Sequence, residues 1–556
     1  MVRRAGRRVA VAAAVVLAGA IMSAQGRGVQ NWNTTSADAQ RTGWLRSEAR
    51  ISAAAFRATG PGAFQLLWKV TPQNQPKELN TLTQPLILGN LISHKGFKAL
   101  AFVGGSSDVV YAYDYDLAKV YWSQRLSTAA TMARSTIACP GGLTAITRNI
   151  PLAQSAVGSS STSQSRGAGP GRGSSTPPAA PPAVSGGRGP APQSSINPAN
   201  LPITNAVWAI SSGGMVHALN PHIGTDLRAP ARLVPSSAKV TGSVLVNNVL
   251  YASTTDGCGG ATNGVWALDV SGEGPSPAAK MWTSGGATIA GNTGPTIGLN
   301  DVIYVATGSG AGQYANAVVA LDARTLQVRN WFAGESPFTT SPVAFNIDGR
   351  DLVAAAARDG RLYVLDGETP GGADHRSPLA RSAVYSTSTD STPGAVTTWQ
   401  DPAGVRWLLV ASVGPVAPVS DAAKFAVSNG EVKNGTIAAF RVRAADQGKS
   451  LTLEPAWTSR DLVSPVTPIV LNDVVFAISS GAFRTTDAQM SVAQRLQRST
   501  PAVLYALDAI TGKELWSSGR AIVSSVQGIG PSGQDGQVYV VAADGTLYAF
   551  GIPLEH

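Results

Sequence analysis

Charge is scarce in this chain: 14% of its 556 residues are Asp, Glu, Lys or Arg, against 44% apolar. With few ionic side chains and no heptad pattern, long amphipathic helices are excluded as the main architecture. Histidine is equally sparse. Its five copies, His94, His217, His222, His375 and His556, show neither His-x-x-x-His nor Cys–His spacing, so no metal site is expected. Only two cysteines occur, Cys139 and Cys258, and no Cys-x-x-Cys-His exists to attach haem. Both sit beside glycines in loops, either bridged or as two separate thiols. No Gly-x-Ser-x-Gly stands where it would form a nucleophile elbow. Gly308-Ser309-Gly310-Ala311-Gly312 leads from strand to strand rather than into a helix, so it reads as a turn and not a phosphate cradle.

Long apolar runs are missing as well, apart from Val9 to Met22 behind Arg3, Arg4, Arg7 and Arg8. That run is shorter than the ~20 residues that cross a bilayer. Followed by Ala24-Gln25-Gly26, it reads as an export leader over residues 1–26. The expected location is therefore the periplasm or the cell exterior, with no membrane span in the mature chain, and there a disulfide is chemically permitted. The formal charge of +10 is less than it looks. Four arginines leave with the leader, and Arg166, Arg172 and Arg188 fall in an acid-free stretch, which leaves about +3 on the body. Nucleic-acid binding is not implied.

What the sequence has in abundance is repetition. The fullest copy runs Ala506-Leu507-Asp508-Ala509-Ile510-Thr511-Gly512-Lys513-Glu514-Leu515-Trp516. Others start at Ala112, Ala267 and Ala320 and end on Trp122, Trp282 and Trp331, and Ala438-Ala439-Phe440 leads to Trp457. Alternating apolar and small residues make a strand buried on both faces. The Asp accepts from turn amides, the Gly takes a positive φ, and the Trp buries ~150–250 Å² against the next sheet. Asp359-Gly360 and Asp544-Gly545 add a second hairpin, expected as two-residue turns. Two hairpins per unit give four-stranded antiparallel blades, expected to centre on Tyr111, Trp208, Trp266, Val319, Tyr363, Ile437, Tyr505 and Tyr548. The fold class is all-β, an eight-bladed β-propeller over residues 64–556 behind a lead-in at 27–63. The strand Phe64 to Val70, carrying Trp68, is expected to close the ring as the outer strand of the last blade.

Three insertions interrupt the pattern. Residues 151–200 are Ser/Gly/Pro-rich and acid-free, and are read as a disordered loop within the second blade. Shorter ones fall at 415–434 and 484–500. The second of these, with Met490, Val492 and Leu496, is expected to form a short helix over one face. Asp390, Asp401, Asp421 and Glu431 are placed at loops of the sixth blade, lining one mouth.

The Ala-x-Asp-x-x-Thr-Gly-x-x-x-Trp unit resembles that of the pyrroloquinoline-quinone (PQQ) repeat family, which includes quinoprotein alcohol dehydrogenases and non-catalytic members, among them a lipoprotein assisting outer-membrane β-barrel assembly. The resemblance implies the eight-bladed fold. Arg358-Asp359-Gly360-Arg361-Leu362-Tyr363-Val364-Leu365 looks like the dehydrogenases' quinone-contacting Arg-Asn-Gly-x-x-Tyr-x-Leu, with Asp for Asn, so Arg358 is the candidate cofactor contact. The rest of their equipment is missing. After Trp331 comes Phe332-Ala333-Gly334-Glu335, not His-Asp-x-Trp-Asp, and Glu335 is out of pattern as a base. There is no adjacent cysteine pair and no assignable Glu–Asn–Asp set for Ca²⁺. The expected function is an exported, non-enzymatic binding scaffold, monomeric, without a cofactor, acting on a protein or cell-envelope partner. The alternative is a PQQ- and Ca²⁺-dependent oxidoreductase of an alcohol or sugar with a divergent site.

Overall fold

A computed structural model describes residues 31–553, apart from 49, 60–62, 73–81, 94–95, 106, 127–135, 137, 144, 151–202, 273, 275, 387–393, 416–421, 446–449, 486 and 488. The expected leader at 1–26 and the Ser/Gly/Pro-rich insertion lie outside these residues, as do Asp390 and Asp421.

Antiparallel meanders follow one another along the chain. Seven occupy residues 86–125, 145–232, 239–283, 296–333, 343–381, 397–458 and 469–517. The eighth combines three strands at 532–551 with Gln65–Val70, which pairs antiparallel to Leu547–Gly551. Among the described residues this gives eight four-stranded units, numbered here as blades 1 to 8. The third strand of a blade is buried along its length, as in Val109–Asp114, because sheets cover both its faces. The outer strand alternates: in Lys119–Arg125 only Trp122 is buried.

Apolar clusters fill every seam between consecutive blades and continue from blade 8 back to blade 1, so the ring is closed. Blades 2 and 3 are joined further by parallel pairing of their inner strands, Ala145–Ile150 and Lys239–Val246. Closure of this kind removes the free sheet edges at the seam.

The repeat signature performs its local work in blade 7. The Asp508 carboxylate accepts from the amides of Ile510 (3.1 Å) and Thr511 (2.9 Å) and from the Thr511 hydroxyl. Gly512 then turns the chain at φ +71°. Ala506, with no exposed surface, faces Trp516 across the last strand pair. Each tryptophan reaches into the following blade. Trp457 Nε1 donates to Ala509 O (3.0 Å), Trp122 Nε1 to Pro221 O (2.8 Å) and Trp68 Nε1 to Tyr115 O (2.9 Å). Trp282 packs on Tyr314, Trp331 stacks on His375 at 3.6 Å, and Trp516 lies against Phe64 and Phe550.

Two expectations need correction. Trp208 is on the second strand of blade 2, Val207–Ile210, and the third is Met215–Leu219. The Asp-Gly turns also span three residues rather than two. Ala357 N donates to Arg361 O and Ala542 N to Thr546 O, with Gly360 and Gly545 at φ +73° and +81°. A glycine at that third position is what a three-residue hairpin with a bulge requires.

The lead-in has a role the repeats do not hint at. Residues 32–43 run once around the ring axis and hydrogen-bond to each blade in turn. Trp32 N donates to Gln534 Oε1 of blade 8, and Trp32 O accepts from Ile87 N of blade 1. Asn33 O accepts from Arg148 N of blade 2, and Thr34 Oγ1 donates to Ser243 O of blade 3. The carbonyls of Ala39, Gln40, Thr42 and Gly43 then accept from Ile297, Ala344, Thr398 and Val470 of blades 4 to 7. Backbone groups of inner strands that would otherwise face a bare channel are satisfied this way.

The repeat aspartates also set a pH response. In blade 4, Asp322 is held well below the usual carboxylate range, first by the Arg329 guanidinium (2.6 Å) and then by the Thr325 amide. Because the folded state binds its proton less tightly, this stabilisation is complete above the unfolded value near ~4 and is lost as pH falls through the depressed one. Asp322→Asn is expected to cost about 1 kcal/mol at pH 7, discounted for partial exposure, and less at pH 2, which lies below the unfolded value. Urea titrations at the two pH values measure the difference, and an equal loss at both would refute the assignment.

Candidate functional site

The axial segment closes the channel from one side and leaves a funnel on the other. Its cavity is about 510 Å³. Thr35 and Ser36 contribute to its lining, with Gln84 beside them donating to Gly530 O (3.0 Å) and accepting from Ser36 N (3.0 Å). The walls come from the starts of inner strands and from the loops between second and third strands, which share this side of the ring.

Arg358 lies on one of those loops, directly after the second strand of blade 5, and lines the funnel. Its amide donates to Pro337 O (2.8 Å), which fixes the backbone. Its guanidinium has no hydrogen-bond or ion-pair partner among the described residues. The neighbouring Asp359 is occupied locally, accepting from the Tyr363 hydroxyl (2.5 Å) and the Arg361 amide (3.1 Å). The Asp therefore serves the turn.

Three further cations line the same cavity: Lys239 on blade 3, and Arg484 and Arg495 from the insertion in blade 7. That insertion forms the expected helix, Val492–Arg498, started by a capping box between Ser491 and Gln494. Asp256 is the one carboxylate among the lining residues, and it is ion-paired to Lys239 at 2.5 Å. Two lining groups lack partners among the described residues, Thr293 Oγ1 and Gln527 Nε2.

Residues 138–143 bring Pro140 and Leu143 to the lining. Cys139 in this segment is bonded to Cys258 of blade 3, with Cα atoms 5.6 Å apart. Thr136 also bridges to Ser491 at the start of the helix. The tie therefore joins blade 3 to the insertion of blade 7 across the opening. Cys139→Ser with Cys258→Ser is expected to lower stability by about 2–4 kcal/mol by freeing a long loop in the unfolded chain. Thermal unfolding with and without reductant measures it: reductant should shift the parent chain towards the double variant and leave the variant unmoved.

The other carboxylate candidates lie elsewhere. Glu335 is exposed and outside the lining. Asp401 does not border the funnel: it accepts from Val405 N and from Trp407 Nε1 (2.9 Å), bracing the first hairpin of blade 6. Glu431 sits in a shallow site with Arg460, Asp461, Lys513 and Glu514. Among the described residues no three His, Cys, Asp or Glu side chains come together as a metal site. A quinone's carboxylates would suit the cations, but the Ca²⁺ beside it needs several convergent oxygen ligands. A single carboxylate already held by lysine does not provide them. The lining does not fit PQQ with Ca²⁺.

Arg358, the sequence's candidate quinone contact, is a lining residue, whereas Lys239, Arg484, Arg495 and Gln527 were not singled out. The only trace was the Gln/Arg-rich composition of 484–500, which does not say where those side chains point.

Residues 454–552 match the family described as outer membrane protein assembly factor BamB. No curated protein matches the chain. Among solved structures it is similar to quinohemoprotein alcohol dehydrogenase from Comamonas testosteroni, with 13% identity and TM-score 0.55 over 97% of this chain and 83% of that one. Quinohemoprotein alcohol dehydrogenase ADHIIG from Pseudomonas putida HK5 aligns with 12% identity and TM-score 0.53 over 95% and 82%. A europium-containing methanol dehydrogenase aligns with 12% identity and TM-score 0.51 over 94% and 98%. At these identities the likeness is one of fold. No helix among the described residues is long and apolar enough to cross a membrane.

Proposed function

This chain is a β-propeller of PQQ-like repeats, and we propose that it works as an exported, non-enzymatic binding propeller serving a protein or cell-envelope partner. The observation that carries this reading is the state of the funnel's lining carboxylate: Asp256 is tied to Lys239 at 2.5 Å. Hydride removal from an alcohol needs a base to take the hydroxyl proton, a contribution of ~10²–10⁴ in rate. With Lys239 Nζ already donating to its Oδ2, this carboxylate is engaged and does not stand free to meet an alcohol. The match to a family described as an assembly factor points the same way, over blades 7 and 8.

One observation favours the alternative, a quinoprotein oxidoreductase of alcohols or sugars: Arg358 lines the funnel, as a quinone-contacting arginine would. Steady-state dye reduction separates the two. The mature chain, given PQQ, Ca²⁺ and a panel of alcohols and sugars, should show no substrate-dependent turnover. Turnover that disappears in Arg358→Ala would establish the oxidoreductase instead.

A further inference from the structure

We infer that the funnel binds a small oligoanion, a molecule carrying two or more carboxylate or phosphate groups, and does so without a metal ion. The inference rests on the reading of this ring as a binder and names its ligand chemistry. Charge is the first support. Four cationic side chains and one carboxylate line a cavity of about 510 Å³, while the body as a whole carries little net charge. Fields of one sign are focused in a concave, low-dielectric site of that kind, and the volume is that of a small-molecule pocket.

The open valences are the second support. Gln527 Nε2 can only donate, Thr293 Oγ1 can donate, and both lack partners among the described residues. The Arg358 guanidinium, exposed and without a protein partner among the described residues, adds five donors in a fork suited to carboxylate or phosphate. Two buried lining groups able to donate are thus without an acceptor among the described residues. Gln527, Thr293 and Arg358 stand on blades 8, 4 and 5, so an occupant meeting them carries oxygens at more than one end. Arg484 and Arg495 add charge from blade 7. The links from Cys139 to Cys258 and from Thr136 to Ser491 beside the lining suit the funnel itself to a small molecule and leave a larger partner to the outer faces of the ring.

Isothermal titration of the mature chain at low ionic strength tests this, with citrate as the carboxylate probe, pyrophosphate as the phosphate probe and glucose as a neutral control. At least one anion should bind, glucose should not, and the affinity should fall steeply with added salt. Arg358→Ala should weaken binding about 10–100-fold and Arg358→Lys should recover part of it. Both variants should melt with the parent, since this side chain supports no fold contact. Lys119→Ala on the outer face of blade 1 should bind as the parent does. Binding of neither anion at millimolar concentration overturns the inference, as does anion binding indifferent to Arg358→Ala. Either failure leaves the non-enzymatic reading standing, because that reading falls only to quinone-dependent turnover.

Discussion

Arg41→Ala is expected to lower the stability of the whole ring by about 3–5 kcal/mol. Arg41 has no exposed surface and sits at the axis, inside the turn of the lead-in. Its Nε donates to Pro295 O (3.0 Å), Nη1 to Thr34 Oγ1 and Thr35 O (both 2.8 Å), and Nη2 to Ser243 O (3.1 Å). Burial pushes its pKa down to about 9, so the side chain remains charged at neutral pH, and the nearby Asp38 carboxylate opposes that shift. Truncation would strand these acceptors and leave the half-buried Asp38 with Arg46 but without Arg41 as a neighbouring cation. Arg41→Lys should rescue less than half, because an ammonium cannot span acceptors on both sides of the fork. Guanidinium titration measures both. A loss below about 1 kcal/mol for the alanine variant would show that the axial segment is peripheral to the fold.

The second large effect belongs to the seam between blades 6 and 7. Trp457 has no exposed surface, donates to Ala509 O and lies on Gly512. A Cβ on Gly512 would stand 2.4 Å from Trp457 Cε3, at a positive φ that already disfavours any side chain. Trp457→Ala is expected to cost about 3–5 kcal/mol, and Gly512→Ala about 1–3 kcal/mol from overpacking and backbone strain. The double variant should fall short of the sum by about 1 kcal/mol or more, since removing the indole removes the clash. Additive losses in a double-mutant cycle would mean that the indole and the turn do not act as one contact.

Much of the ring was legible because propeller repeats are local: Asp508, Thr511 and Gly512 make their own turn, and each docking tryptophan follows its turn within a few residues. The closing strand was legible too, since the last repeat lacks an outer strand and Trp68 sits in a segment of the right kind. The lead-in was not. It has no period, and its turn runs through Ser36, Ala37 and Arg41 at positive φ, with no glycine at those positions. Its partners lie up to several hundred residues away. The same distance hid the funnel, whose cations come from three blades with no linear spacing to join them. Arg358 was found only because its flanking residues resemble a known segment.

The calcium dependence of quinone binding tests the central claim most directly. PQQ is titrated into the chain lacking residues 1–26 with Ca²⁺ and with chelator, and quinone absorbance is followed after adding an alcohol. The expected result is the same affinity in both conditions and no bleaching on alcohol addition, because the proposed site takes carboxylates through its cations alone. Tighter binding with Ca²⁺, followed by alcohol-dependent bleaching that Arg358→Ala abolishes, would contradict a binding propeller and make the chain a quinoprotein enzyme.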